Sequence, residues 1–232
     1  MLDYDGTLVP FRVDRLEPRI SREARAALRD IARHSRVVVV SGRPIGELAL
    51  MLEGLDLDLV GEHGWEERRH GGATSRHPLP ANAERVLEEA WKRSRKHVWA
   101  GHIERKRTSL MLHTRGLDAE EARRFEDEAS GTWASLEPGT LDLRKVSGGV
   151  ELRSRGADKG TAVLRLLAET PRGAVVVYLG DDETDEDAFA ALAGRGVGIR
   201  VGPLQATRAS VTLPDTQAVL KFLESWRSVT SR

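Results

Sequence analysis

Cysteine is absent from the 232-residue chain, which excludes disulfides and thiolate metal sites and is typical of a reducing compartment. Net charge is also absent, because 36 basic residues balance 36 acidic ones, so nothing attracts the whole chain to nucleic acid or anionic membranes. The longest apolar runs, such as 37–40 and 174–179, are far too short to cross a bilayer. No secretory signal is visible. We therefore expect a cytoplasmic, monomeric protein with no membrane or nucleic-acid partner.

Short apolar segments alternate with helical patterns, an order typical of a mostly parallel sheet covered by helices on both faces. The predicted strands cover 37–40, 57–60, 98–104, 108–114, 133–136, 141–146, 150–153, 174–179 and 197–201. The predicted helices begin at Ser21, Pro44, Asn82 and Asp118, cover 158–169 and 184–192, and end the chain around 219–226.

The order of elements changes between 74 and 153, where helices are followed by adjacent strands, as in an α+β unit with an antiparallel sheet. We predict an α/β fold in which 1–73 and 154–232 form a Rossmann-like, mostly parallel core and 74–153 form an inserted α+β domain. Only two residues precede Asp3, fewer than a strand normally needs, so we expect the natural chain to begin further upstream.

Two carboxylates one residue apart, Asp3 and Asp5, are followed by Gly6 near the start of the chain. Ligands of open α/β sheets bind beyond the carboxyl ends of the strands, where such a segment would lie. One carboxylate can attack phosphorus while the other donates a proton to the leaving oxygen. An ordinary acidic turn would have the same residues, because Asp-Gly is common turn chemistry.

Six acidic side chains occupy positions 181–187, directly after an apolar segment. They repel one another unless a cation or solvent intervenes, and Mg²⁺ prefers carboxylate and phosphate oxygens. Acidic residues also favour the N-terminus of a solvated helix, which explains Glu186 and Asp187 well. This preference for a helix N-terminus explains less well the paired Asp181 and Asp182 at a strand exit, so we favour a metal site.

A phosphate-binding role fits two further segments, the pair Ser41 and Gly42 and the single residue Lys159. Ser41 and Gly42 follow an apolar segment and precede a predicted helix, so a hydroxyl and backbone N–H groups could cradle a phosphate, although Ser-Gly is also a common turn. Lys159 lies at a predicted helix start, where the macrodipole opposes a cation. Binding phosphate oxygens would explain Lys159, and an exposed surface lysine is the alternative.

With these four segments, the chain resembles the haloacid dehalogenase superfamily of phosphatases over nearly its whole length. The roles that this resemblance implies are Asp3 as nucleophile, Asp5 as general acid and base, and Ser41, Gly42 and Lys159 as phosphate ligands. It also implies Asp3, Asp181, Asp182 and the backbone carbonyl of Asp5 as ligands of Mg²⁺. It gives Asp185 a supporting role at the metal, and makes the insert a cap that closes over the site.

The chain is similar, more narrowly, to the trehalose-6-phosphate phosphatases. The segments that carry this likeness are 2–8, 60–64, 103–106, 150–153, 159–163 and 178–189. The resemblance implies hydrolysis of trehalose 6-phosphate to trehalose and phosphate through an aspartyl-phosphate intermediate, as a step of trehalose biosynthesis. It also implies that Glu104, Lys106, Glu151 and Arg43 bind the substrate. Alternatives are another glycosyl phosphate as substrate or a non-catalytic sugar-phosphate-binding module, and Glu104 and Lys106 could simply belong to an exposed sheet face.

Overall fold

The computed structural model describes residues 1–11, 19–136, 139–146, 148–203 and 205–230. The strands in these ranges are β1 (Val38–Val40), β2 (Asp58–Gly61), β3 (Glu66–Arg68), β4 (Thr74–Arg76), β5 (Ile103–Arg105), β6 (Ser109–His113), β7 (Leu141–Val146), β8 (Gly149–Ser154), β9 (Val177–Gly180), β10 (Val197–Val201) and β11 (Val211–Leu213). The α-helices are α1 (Arg22–Ile31), α2 (Ile45–Met51), α3 (Ala83–Ser94), α4 (Ala119–Ala134), α5 (Lys159–Ala168), α6 (Glu183–Ala191) and α7 (Thr216–Thr230). None of them combines bilayer-spanning length with enough hydrophobicity.

The chain divides into two compact units, Met1–His77 with Ala157–Arg232 and Pro78–Gly156. The first boundary lies four residues later than the predicted one, and the second lies three residues later. The reason on the first side is β4, which pairs with β3 and so extends the sheet of the first unit.

The first unit contains one sheet in two halves, joined by the first residues of the chain. One half has the order β1-β2-β3-β4 and the other β11-β10-β9. Leu2 forms parallel bridges to Val39 in β1 and to Leu179 in β9, and therefore lies between the halves. Its N–H donates to the Val38 carbonyl at 2.9 Å, and its carbonyl accepts from Val40 at 2.8 Å. The pairs β1–β2, β9–β10 and β10–β11 are parallel, as predicted for this core.

Apolar clusters cover both faces of the parallel part of this sheet, which is why β1, β2, β9 and β10 are rich in valine, leucine and isoleucine. Helix α1 illustrates how the sequence specifies this packing. Ser21 accepts a hydrogen bond from the Ala24 N–H at 3.1 Å and caps the helix. The buried residues of α1 are Ala24, Ala27, Leu28 and Ile31, which recur at the spacing of one helix face. The last helix buries Val219 and Leu223 on the same cluster.

The second unit is a four-stranded antiparallel sheet of order β5-β6-β8-β7. Its own apolar cluster contains residues of α3 and α4 together with Leu110, Leu112, Val150 and Leu152 of the sheet. The α+β prediction for this part of the chain is therefore confirmed.

Two strand predictions in this unit are wrong. Positions 133–136 end α4, because Trp133 continues the buried stripe that Phe125 and Ala129 begin at a spacing of four residues. Most of 98–104 forms a 3₁₀ turn, Val98–His102, and only the following residues pair as β5. Strands β3, β4 and β11 were not predicted.

Candidate active site

The carboxyl ends of the parallel strands bring the predicted site residues of the first unit to one edge of its sheet. Asp3 follows the bridging residue Leu2, Ser41 follows β1, and Asp181 follows β9. Lys159 is the first residue of α5, which Asp158 caps by accepting from the Thr161 N–H at 2.7 Å. Topology alone therefore explains why segments far apart in sequence meet here.

Lys159 lies between two carboxylates. Its Nζ is 2.9 Å from Asp3 Oδ1 and 2.8 Å from Asp185 Oδ1, and its side chain is only 2% exposed. Burial lowers the pKa of Lys159, but Asp185 and Asp3 outweigh burial and raise it well above its usual value. Lys159 is therefore a fixed cation beside Asp3 and not an exposed surface lysine.

Acidic side chains outnumber basic ones around Lys159. Ligand oxygens of Asp3, Asp181 and Asp185 lie within 4.8 Å of one another. Burial, together with repulsion from Asp182 and Asp185, raises the pKa of Asp181 to about 8. Burial also raises the pKa of Asp3 well above its usual value, because Lys159 offsets only part of the effect of burial and of the neighbouring carboxylates. A cluster with this charge is suited to a cation.

Asp185 organises the loop after β9. Its Oδ1 accepts from the Tyr178 hydroxyl at 2.6 Å and from Lys159, and its Oδ2 accepts from the N–H groups of Asp181 and Asp182 at 3.0 and 3.1 Å. Four donors use the acceptor capacity of one carboxylate. Asp185 therefore fits a supporting role. The oxygens of Asp3 and Asp181 retain more lone pairs with which to bind a metal ion.

Asp182 was predicted as a metal ligand, but its carboxylate lies outside this cluster. The carboxylate of Asp5, whose predicted metal ligand is the backbone carbonyl, also lies outside it. Asp182 caps α6, and its Oδ1 accepts from the Thr184 N–H at 2.8 Å and from the Thr184 hydroxyl at 2.7 Å. The Asp5 carboxylate is paired with Arg43. Repulsion rises steeply as carboxylates converge, so a helix N-terminus and a guanidinium each accommodate one of them away from the cluster.

The turn after β1 has the form expected of a phosphate cradle. The Arg43 N–H donates to Ser41 Oγ at 3.2 Å, so the Ser41 hydroxyl can donate its own hydrogen elsewhere. A Cβ at Gly42 would lie 2.6 Å from His63 Nε2, so a larger residue would require the His63 ring to shift. His63 has a left-handed backbone with φ of 57°, and its N–H donates to the Ser41 carbonyl at 3.0 Å.

Sequence reasoning missed Arg200 in β10. Its Nη2 donates to the Asp181 carbonyl at 2.8 Å, and its Nη1 donates to Glu186 Oε1 at 3.1 Å. Arg200 is buried and holds the loop that bears Asp181. A charged residue between Ile199 and Val201, in the middle of an apolar strand, was the available signal.

In the second unit, the predicted sugar-binding residues share one face of the sheet. Glu104 is paired with Met111 and Met111 with Glu151, so these side chains form a row across three strands. Glu151 accepts from the Ser109 hydroxyl at 2.8 Å and is 3% exposed. Lys106 Nζ is 3.7 Å from Glu104 Oε1, and these two side chains are 10% and 11% exposed. Such low exposure does not fit a merely solvated sheet face.

Comparison with known proteins identifies the family. The sequence model of the trehalose-phosphatase family matches residues 1–217. Probable trehalose-phosphate phosphatase 3 of Oryza sativa subsp. japonica is 31% identical and trehalose-phosphate phosphatase B of Arabidopsis thaliana is 30% identical, each over 96% of this chain. The chain spans 67% and 64% of their lengths, respectively.

Solved structures agree with this result. The C-terminal domain of trehalose-6-phosphate phosphatase from C. albicans superposes with a TM-score of 0.81 at 24% identity, over 98% of this chain and 90% of that one. A haloacid dehalogenase-like hydrolase from B. subtilis superposes with a TM-score of 0.63 at 17% identity, over 96% and 98% of the two chains. Both likenesses establish the fold, and together with the family match they show that the chain belongs to the trehalose-phosphatase family and has the haloacid dehalogenase-like fold.

Proposed function

We propose that the chain hydrolyses trehalose 6-phosphate to trehalose and inorganic phosphate through a phosphoryl group carried on Asp3. The observation that supports this most is the position of Asp3, which lies at 2.9 Å from a buried lysine and within 4.8 Å of the Asp181 and Asp185 oxygens. A buried carboxylate with a cation beside it can serve as a nucleophile toward an anionic ester, because the cation reduces the repulsion.

The reaction uses two carboxylates in two steps. Asp3 forms a bond to phosphorus while the bond between phosphorus and the sugar oxygen breaks, and Asp5 donates a proton to that leaving oxygen. A water oxygen then bonds to phosphorus, the bond between Asp3 and phosphorus breaks, and Asp5 takes the proton from the water. Lys159, the Ser41 hydroxyl and the Gly42 backbone hold the phosphate oxygens through both steps.

The residues at the strand ends fit Mg²⁺. Their donors are carboxylate oxygens, which this ion prefers, and one oxygen from each of Asp3, Asp181 and Asp185 lies within 4.8 Å of the others. Asp3 and Asp181 would hold the ion, with Asp185 and Arg200 fixing the loop that bears Asp181. When bound, the ion neutralises charge on the carboxylate and on the phosphate as they approach.

The sugar-binding assignment belongs to Glu104, Lys106 and Glu151, whose charged groups can donate to or accept from hydroxyl groups. His113 Nε2 lies 2.8 Å from Glu104 Oε2, and Ser109 donates to Glu151, so both carboxylates are held in place. Arg43 was also assigned to the substrate from the resemblance. We also propose a cytoplasmic location and a monomeric state, the first on the cysteine-free composition.

The test is phosphate release from trehalose 6-phosphate with and without Mg²⁺, with glucose 6-phosphate as the comparison substrate. We expect release that requires Mg²⁺ and favours the disaccharide. The variant Asp3→Asn should fold but release no phosphate, and the control Asp215→Asn, which alters an exposed acceptor at the start of α7, should behave like wild type. Turnover by Asp3→Asn near the wild-type rate would remove Asp3 from the reaction.

A further inference from the structure

The side chain of Arg43 binds the carboxylate of Asp5 with two hydrogen bonds. Arg43 Nε donates to Asp5 Oδ2 at 2.5 Å, and Arg43 Nη2 donates to Asp5 Oδ1 at 2.7 Å. The two side chains are 11% and 23% exposed. A bidentate fork of this kind fixes both the position and the plane of the carboxylate, because two parallel donors allow only one orientation of the group.

Arg43 is itself held at both ends. Its backbone belongs to the phosphate turn, where its N–H donates to Ser41 Oγ and its carbonyl accepts from the Glu62 N–H at 3.0 Å. At the other end, Nη1 lies 3.5 Å from an oxygen of Glu47, one turn further along the chain. The guanidinium therefore links the phosphate turn to Asp5 and is itself held in place by its neighbours.

The site thus assigns one cation to each of its two reacting carboxylates. Lys159 lies against Asp3, the predicted nucleophile, and Arg43 lies against Asp5, the predicted acid and base. An arginine whose main task was to bind the phosphoryl group would be expected to point at the group beside Lys159. The observed fork instead favours a role in placing Asp5.

We propose that Arg43 is a positioning residue, which orients the Asp5 carboxyl group toward the oxygen of the leaving group. This inference rests on the proposed function, in which Asp5 transfers a proton to the sugar oxygen. The fork binds one lone pair of each carboxyl oxygen and leaves the others for the proton that Asp5 transfers. Proton transfer needs heavy atoms within hydrogen-bond reach, so a carboxyl group that rotates out of this plane loses the transfer without losing substrate binding.

The experiment compares two esters that differ in their need for a proton. The alcohol released from trehalose 6-phosphate is a poor leaving group without protonation, whereas 4-nitrophenolate leaves from 4-nitrophenyl phosphate without it. The rate of alcohol release in the first turnover would be measured with Mg²⁺ for wild type, Arg43→Gln and Arg43→Lys. Both variants lose the fork, and Arg43→Lys keeps the positive charge.

We expect both variants to slow the sugar ester by about 100-fold, the lower end of what general acid catalysis contributes, with KM nearly unchanged. The aryl ester should slow by less than about five-fold, since its first step needs no proton. Glu47→Gln is the matched control, because it alters a neighbour of the guanidinium and leaves the fork in place, and it should retain the wild-type ratio of the two rates.

An equal loss on both esters would overturn the proposal, because it would mean that Arg43 serves the phosphoryl group. Full activity of Arg43→Lys on both esters would overturn it too, since charge without the fork would then suffice. The far-UV circular dichroism of each variant shows whether it is folded, and Arg43→Lys tests the fork even if Arg43→Gln does not fold. The wild-type rate on trehalose 6-phosphate tests the proposed function separately, because only the ratio between variants tests Arg43.

Discussion

Removal of the metal should make the stability of the protein fall as the pH rises, because of Asp181. Burial and the neighbouring carboxylates raise the pKa of Asp181 from 3.8 to about 8. Between these values the folded protein keeps a proton that the unfolded chain has lost. Stability from this group is therefore complete below about pH 4 and is lost as the pH rises through about 8, at a slope of roughly 1.4 kcal/mol per pH unit.

The α-amino group of Met1 has the opposite effect on the pH dependence of stability. Burial and Arg36 lower its pKa to about 5, so its contribution to stability is lost as the pH falls from 8 toward 5. The variant Asp181→Asn retains Met1 and removes only the titrating carboxylate. The difference between wild type and this variant therefore cancels the effect of Met1 and reports Asp181 together with its coupling to the neighbouring carboxylates.

The assay is thermal unfolding in EDTA between pH 5 and 7.5, followed by circular dichroism. One kcal/mol shifts the melting temperature of a domain this size by about 2–4 °C, so the wild type should lose about 3–5 °C per pH unit relative to Asp181→Asn. Saturating Mg²⁺ should remove most of this slope, because a bound cation keeps the carboxylates ionised. A difference that stays constant with pH, or one that Mg²⁺ leaves unchanged, would refute the reasoning.

Three further predictions concern single contacts. Tyr178→Phe removes the hydroxyl that donates to Asp185 and should lower the free energy of unfolding by about 1–2 kcal/mol in urea titrations. Gly42→Ala places a Cβ 2.6 Å from an imidazole nitrogen and should raise the KM for the phosphate ester by about 10-fold or more, as a distorted phosphate turn binds less well. Ser109→Ala removes the donor to Glu151 and should reduce kcat/KM for trehalose 6-phosphate by about 10-fold while sparing 4-nitrophenyl phosphate.

The core of the fold could be predicted because its signals are local. Helix α1 has a serine cap and an apolar stripe of helical spacing, and strands β1 and β10 are short apolar segments between turns. Strands β3 and β4 have no such signal. Each has three largely polar residues, Glu66–Arg68 and Thr74–Arg76. Strand β3 forms because β2 offers an edge to pair with, and β4 forms because β3 then offers the next edge.

The candidate site was predictable at the level of segments and not of atoms. Residue types and strand exits were enough to select Asp3, Ser41, Lys159 and the acidic segment after β9. Nothing in the spacing of the acidic residues distinguishes Asp182, which caps a helix, from Asp185, which accepts four hydrogen bonds. That distinction depends on where each side chain points after folding.

The excess of negative charge at the strand ends also explains why the supporting residues are so firmly fixed. Three carboxylates share one lysine, an arrangement that by itself opposes folding, since each buried charge loses its hydration. Hydrogen bonds to Asp185 from the Tyr178 hydroxyl and from the backbone N–H groups of the loop offset part of this loss of hydration. A cluster that is neutralised completely would have little affinity for a cation. Ionisation of Asp3 and Asp181 therefore costs free energy in the metal-free protein, which is why their pKa values are raised, and a bound Mg²⁺ would offset that cost.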